Sequence, residues 1–375
     1  MQGRTGNTGR PRAAEWGLSV GGFPSGAHNA LTDVPGVRVG HTTVRRSPDI
    51  HSGVTAILPG ERVSPQRPVA AGVFTGNGYG KLIGSTQLAE LGELETPVLL
   101  TSTLSAFRVA DALVGWMLER PECAEAVSLN PVVGECNDGY LSDIRARPVR
   151  EEHVRAALDG ASAGPVEEGC VGAGTGTGAL GFKAGIGTAS RVVELPGEGA
   201  RYTLGALVQA NFGGTLRIGG ELLTPGGLGL RPEAPPPEKG SCMIVVGTDA
   251  PLDARQLGRL ARRAVFALAR VGAAYGHGSG DYAIAFSTSG ATRRASEARY
   301  SERSAPVGER PRPAPADSAL NPLFEAALDT VEESVLNSLL AAVTTTGHRG
   351  RTLPALPVEA LRRRPPGPGP GPHGG

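Results

Sequence analysis

Residues 231–252 read RPEAPPPEKGSCMIVVGTDAPL. A proline-rich, charged segment runs to Lys239 and Gly240, then gives way at once to Ser241, Cys242 and an apolar run. SCMIVVGTDA (241–250) has the pattern of a buried strand. It raises a chemical question too: why a flexible linker should deliver a small hydroxyl residue to the first position of such a strand. Either a loop simply ends there, or the chain is cut between Gly240 and Ser241 and Ser241 becomes an N-terminus.

Working outward, the segments on both sides alternate between strand and helix patterns. VRVGHTTV (37–44), VTAILPG (54–60), VAAGVFTG (69–76) and TPVLLTSTL (96–104) read as strands, the first as a sheet edge. VADALVGWMLER (109–120) carries apolar residues at helical spacing, and HVRAALDGA (153–161) is a short helix. GFKAGIGTASRVV and YTLGALVQANFG (202–213) lead into strands, the latter with a polar end. Beyond the opening stretch, Pro251 is expected to start a helix with Asp249 as its N-cap. Its apolar face would run through Leu257, Leu260, Ala264 and Leu268. DYAIAFSTS (281–289) is a further strand and 320–343 a long helix. Strand and helix runs coexist without strict βαβ alternation, which favours a layered α+β sandwich over a doubly wound sheet.

Residues 1–14 read as a disordered leader, 15–360 as a single catalytic domain, and 361–375 as a disordered Pro/Gly tail. Residues 223–240 read as a linker and 293–317 as a solvated excursion. Lys and Arg number 37 against 36 Asp and Glu, a formal charge of +1, so no electrostatic reason points to nucleic acid or an anionic membrane as partner. Cys123, Cys136, Cys170 and Cys242 form no CxxC pair and have no histidine at ligand spacing. Four reduced thiols are expected, with no metal and no cofactor. No signal peptide or membrane span is legible, and a soluble, cytoplasmic protein is the expectation.

Three patterns invite other chemistry. GTGALG (176–181) satisfies GxGxxG, but it flows into turn and strand where a dinucleotide site would open a helix. His277, Ser279 and Asp281 in HGSGD suggest a triad, yet triads assemble across space and no GxSxG elbow is present. Cys242 is a possible thiol nucleophile, but alternate strand residues face opposite ways, so it should point away from whatever Ser241 addresses. It reads as a small buried hydrophobe.

Taken in order, GVRVGHTTV, GELETPVLLTSTLS, VVGECNDGYLSDI, GFKAGIGTASR, LVQANFG, GSCMIVVGTDAPL, HGSGD and NSLLAAVTTTGHRGRTLPALP resemble the L-aminopeptidase/D-Ala-esterase-amidase family, which includes the β-peptidyl aminopeptidases. The resemblance covers about residues 17–360. It implies a chain that cuts itself at Gly240–Ser241 into residues 1–240 and 241–375, with Ser241 the nucleophile. It implies that Asn211 stabilises an oxyanion, that Tyr140 is an active-site tyrosine, and that Ser279 and Asp281 stand behind the nucleophile. Many β-peptidyl members carry Glu at the position of Asp281. Glu135 matches the acidic residue proposed to hold a substrate's free ammonium. The implied fold is an αββα four-layer sandwich, N-terminal-nucleophile-like with distinct connectivity and shared with ornithine acetyltransferases. The implied assembly is a homotetramer of processed protomers, and the substrates are small peptides or aminoacyl amides and esters.

The residue types suit that chemistry. A serine hydroxyl needs a base, and a serine at a chain end carries one in its α-amine, which titrates at about 7.7–8.0. An amide nitrogen in an uncut chain has no such basicity. Gly240 lacks a Cβ and tolerates a strained peptide at the cut. Alternatives are an acyltransferase of the ornithine acetyltransferase type or an endo-acting amidase, both usually threonine-started, and an unprocessed, non-catalytic homologue.

Overall fold

The computed structural model describes residues 10–61, 63–197, 199–230, 240–290 and 314–359. Its main strands are β1 (Arg38–Arg46), β2 (Ile50–Leu58), β3 (Val69–Gly78), β4 (Val98–Ser102), β5 (Val132–Cys136), β6 (Ile186–Glu194), β7 (Arg201–Asn211), β8 (Ser241–Thr248) and β9 (Gly280–Ser287). Its longer helices are α1 (Ala106–Leu118), α2 (Glu151–Asp159), α3 (Ala254–Ala267) and α4 (Asn321–Leu340).

One sheet runs β1-β2-β4-β5, with Leu82–Ile83 along the outer side of β5. The other runs β6-β7-β8-β9-β3, with Glu93–Leu94 on β3. β4 pairs with β5 and β8 with β9 in parallel; β7 meets β8 antiparallel. The fold is mixed α and β, as the pattern of runs required.

Every residue of β8 is buried, and its side chains divide between two cores. Met243 and Val245 pack with Ile57, Leu100, Val132 and Leu207, where the two sheets face each other. Cys242, Ile244 and Val246 pack with Leu257, Leu260 and Ala264 of α3 and Val331, Val335 and Leu339 of α4. A third core joins Val54, Leu99 and Val133 to Val109 and Leu113 of α1 and Val154 and Leu158 of α2. A strand with apolar residues at consecutive positions, here Cys242 to Val246, needs such a partner on each side, because either face left in water would forgo the gain from burial.

Three expectations need correction. α3 opens at Ala254, and its cap is Asp253: Asp253 Oδ1 accepts from the Gln256 N–H at 2.7 Å while Gln256 Oε1 accepts from the Asp253 N–H at 3.3 Å. Only an acceptor three residues ahead of Gln256 can close this reciprocal box. Asp249 is occupied elsewhere, accepting from the Thr203 N–H at 2.7 Å. Within the leader assigned to residues 1–14, Ala13 is fully buried with its N–H on Asn337 Oδ1, and Arg12 pairs with Glu168 at 2.8 Å. Buried partners order that stretch; residues 1–9 lie outside the described residues. The linker begins later than expected, since Glu221–Leu223 pairs with Leu216–Ile218 and a turn closes at Gly226–Leu228. Residues 231–239, the excursion's 291–313 and the tail from 360 lie outside the described residues.

Candidate active site

Ser241 opens β8, opposite Asn211 at the end of β7 and Gly280 at the start of β9. Two steps along the strand from Met243, its side chain falls on the side facing the other sheet. The residue is 3% exposed, and its Oγ has no hydrogen-bond partner among the described residues. Buried hydroxyls are rarely left so.

The preceding peptide is held at both ends. Gly240 O accepts from the Gly280 N–H at 3.2 Å, so a backbone donor already polarises the carbonyl next to Ser241. Gly240 itself lies against the end of β7: a Cβ there would stand 2.5 Å from Phe212 Cα and 2.7 Å from Asn211 O. Space, rather than an unusual φ, is what demands glycine.

Asn211 is oriented on both sides of its amide. Oδ1 accepts from the Gly178 N–H and Nδ2 donates to Asn137 O, each at 3.2 Å. One Nδ2 proton remains for another acceptor. The GTGTGALG segment thus serves Asn211 and forms the hairpin Gly178–Ala179 with Phe182–Lys183, in place of a helix at a cofactor.

Ser279 donates to Asp281 Oδ1 at 2.9 Å, while Asp281 Oδ2 is buried without a hydrogen-bond partner. Burial pushes the Asp281 carboxyl up to about 6, against the pull of Ser279 and the Cys242 N–H. Asn77 Nδ2 donates to Gly276 O at 2.7 Å and Tyr275 O at 3.3 Å, holding the loop that leads to Ser279. His277 is exposed in that loop, its ring 6.2 Å from the Tyr79 ring, while Ser279 is committed to Asp281. No triad forms from this trio. Cys242 lies in the core under α3, where burial pushes its thiol far up.

Two expected residues belong to the first sheet and the turn that follows it. Cys136 ends β5 with its Sγ 3.5 Å from both Ser241 O and Gln209 O, a thiol that burial holds protonated. Its chain neighbour Glu135 is 3% exposed, with Oε1 accepting from the Lys81 N–H at 3.0 Å, Oε2 accepting from Thr103 Oγ1, and Lys81 Nζ 3.6 Å away. Tyr140 lies in the turn after β5 whose Asn137 carbonyl holds Asn211, and the Arg351 guanidinium stands 5.3 Å from its ring centre. In the same turn Asp138 accepts from Ser102 Oγ at 2.8 Å, and burial raises its carboxyl to about 6.

Ser241, Asn211, Ser279, Asp281 and Gly240 are therefore assembled at one end of three adjacent strands, with Glu135 on the facing sheet and Tyr140 in the turn after it. Gly280, Asn77, Asn137, Cys136 and Lys81 were not singled out from sequence. Gly280 stands inside the quoted HGSGD, but a backbone N–H carries no residue-type signal. Among the described residues no group of three or more His, Cys, Asp or Glu is placed to hold a metal ion, and no helix is long and apolar enough to cross a membrane.

Comparison with known proteins gives the chain a family. Residues 29–353 match the model of peptidase family S58. The beta-peptidyl aminopeptidase BapA of Sphingosinicella microcystinivorans is 39% identical over 375 aligned residues, covering 94% of this chain and 91% of the relative. The BapA of Sphingosinicella xenopeptidilytica is 40% identical, covering 94% and 90%. The crystal structure of the L-aminopeptidase D-Ala-esterase/amidase of Ochrobactrum anthropi, described as a prototype serine aminopeptidase and a new variant of the Ntn hydrolase fold, superposes with a TM-score of 0.82 at 39% identity, covering 94% of this chain and 97% of that one. With a buried serine at the head of a central strand and relatives of this kind along nearly its whole length, the chain belongs to peptidase family S58, as a hydrolase of the N-terminal-nucleophile serine type.

Proposed function

We propose that the chain cleaves itself between Gly240 and Ser241, and that the freed Ser241 then removes N-terminal residues from peptides, amino-acid amides and esters. The relatives' name, beta-peptidyl aminopeptidase, supports β-peptides among those substrates. In the first reaction Ser241 Oγ adds to the Gly240 carbonyl carbon, and charge develops on the oxygen that the Gly280 N–H already holds. The C–N bond breaks, Ser241 N takes the proton lost by Oγ, and water hydrolyses the resulting ester to a Gly240 carboxylate and a free Ser241. Ser279 bridges the nucleophile to Asp281, so that the hydroxyl proton in transit passes through Ser279 to the carboxylate, which afterwards holds the new ammonium.

Turnover then uses the α-amine as base and Oγ as nucleophile on the substrate carbonyl. The remaining Nδ2 proton of Asn211 meets the oxyanion; removing such a donor costs about 10²–10³ in kcat elsewhere. Departure of the Gly240 end uncovers the surface of Asn211, Phe212 and Gly213 against which it packs, and this becomes the substrate's place. Glu135 receives the substrate ammonium, and Tyr140 donates to the oxyanion or relays a proton. The three cores support an αββα four-layer arrangement of one domain over residues 15–360, of the connectivity shared with ornithine acetyltransferases. Phe107, 64% exposed, and Leu104, 42% exposed, suit a surface covered in a homotetramer. Four free, buried thiols support a cytoplasmic location. The comparisons return peptidases and do not favour the acyltransferase alternative.

The observation that carries this reading is the Ser241 hydroxyl, buried and unpartnered beside a carbonyl polarised by Gly280. Purified protein should run as two fragments, the smaller beginning Ser-Cys-Met-Ile-Val on N-terminal sequencing. Ser241→Ala should stay intact and inactive. Efficient cutting of that variant would place the nucleophile elsewhere.

A further inference from the structure

We infer that Lys81 turns the pocket for the substrate's first residue into a receptor for a zwitterion, and that its preferred substrates are β-aspartyl peptides. This rests on Glu135 being the ammonium receptor of the reading above.

The segment Tyr79–Lys81 crosses from β3 to the facing sheet between the nucleophile's neighbours and Glu135. Tyr79 N donates to Ser279 O at 3.1 Å, and Gly80 O accepts from Tyr282 Oη at 3.1 Å. At Gly80 the Cβ position stands 3.4 Å from Glu135 Oε1 and 3.5 Å from Gly280 Cα, the strand partner of Ser241. The segment is thus pinned beside the cut, and Lys81 with it.

Three groups meet the Glu135 carboxylate, and they are not equivalent. The Lys81 N–H and the Thr103 hydroxyl are hydrogen-bonded to it and fixed by their positions in the fold. The Lys81 ammonium stands 3.6 Å off, and its side chain is 44% exposed against 3% for Glu135. The cation can swing into water from its half-exposed position, while the Lys81 N–H and Thr103 keep the buried carboxylate hydrogen-bonded. The anion is buried and the cation stands at the rim, so the ammonium is the partner that an incoming substrate displaces.

Charge then selects the substrate. Glu135 and Lys81 together are neutral. A first residue carrying only an ammonium satisfies Glu135 but leaves Lys81 beside a second cation without a counter-charge. A first residue carrying an ammonium and a carboxylate on the same carbon pairs with both. In an α-linked residue that carboxylate has become the scissile carbonyl. It is free only when the peptide is made through a side chain. In a β-aspartyl residue one methylene separates the amine-bearing carbon from the scissile carbonyl, the spacing of a β-amino acid.

The test uses the full-length, self-processed enzyme with β-aspartyl-leucine and β-homoalanyl-leucine, in which a methyl replaces the carboxylate, and measures released leucine. Wild type should favour β-aspartyl-leucine in kcat/KM by about tenfold or more. Lys81→Gln should cut that ratio by about tenfold, and Lys81→Arg should restore most of it. Using the ratio cancels any general effect of uncovering Glu135, and the wild-type preference stands even if Lys81→Gln fails to fold. Preference for β-homoalanyl-leucine, for γ-glutamyl-leucine, or a ratio indifferent to Lys81→Gln would overturn the inference while leaving the aminopeptidase reading intact. Cleavage of none of these would overturn both.

Discussion

Asp281 is a carboxyl group raised to about 6 by its burial, against about 3.9 for a free aspartate. With the folded value raised, its contribution to stability is present below about pH 4 and is lost as pH climbs through about 6. The uncut Ser241→Ala protein should therefore lose melting temperature across that window, and Ser241→Ala with Asp281→Asn should lose less. Asp138 titrates in the same range but is present in both proteins, so the difference between their melting curves isolates Asp281. Self-cleavage should show the opposite trend, since the proton acceptor proposed above is the carboxylate. The rate of processing of refolded precursor, followed on gels, should rise through about pH 6. A flat profile from pH 5 to 7 would remove Asp281 from the first step. Of the residues in the proposed chemistry, Ser241, Asn211 and Asp281 were legible because their side chains have chemical character. The Gly280 N–H was not, because every residue but proline has one.

At the scale of single elements, β9 and α3 make a contrast. Gly280 begins β9 under the chain of Tyr79: a Cβ would stand 2.8 Å from Tyr79 O and 3.0 Å from Tyr79 C. Gly280→Ala must push that strand end away from Gly240, withdrawing the donor from the scissile carbonyl. The expected result is slowed or absent processing with a loss of about 1–3 kcal/mol in a urea melt. Asp253→Ala removes only the cap of α3 and should cost about 1 kcal/mol in the same melt, leaving processing at its normal rate. If both variants process alike, the Gly280 N–H does not serve the cut. The cap also shows where pattern reading falls short. Pro251 and the apolar spacing announce a helix, but Asp249 and Asp253 are equally good cap residues by type. The choice fell to Asp253 because the start of β7 claims Asp249 through Thr203.

Over the whole molecule, the proposed cut passes through the middle of a sheet. In the order β6-β7-β8-β9-β3, the two strands after residue 240 lie between strands from before it. β8 is paired along its whole length with β7, and β9 is paired with β3 from Gly280 to Phe286. α4, also after the cut, packs on Val208 and its neighbours from before it. Processing should thus leave the fragments interleaved. They should co-elute in size exclusion and part only in denaturant; separation under native conditions would contradict the sheet order.

By itself the sequence determined which segments are strands or helices, because apolar residues recur at the period of each, and it marked Gly240–Ser241 as the place where a linker meets a buried strand. It also marked chemically distinctive side chains, whose types survive any arrangement. Tertiary structure alone decided that β8 lies between β7 and β9, that Gly280 faces the Gly240 carbonyl, and that Lys81 stands over Glu135, 54 positions away along the chain. Periodicity records that a face must be covered but not by what; the covering partner follows from the packing of the whole chain, and with it every contact on which the site depends.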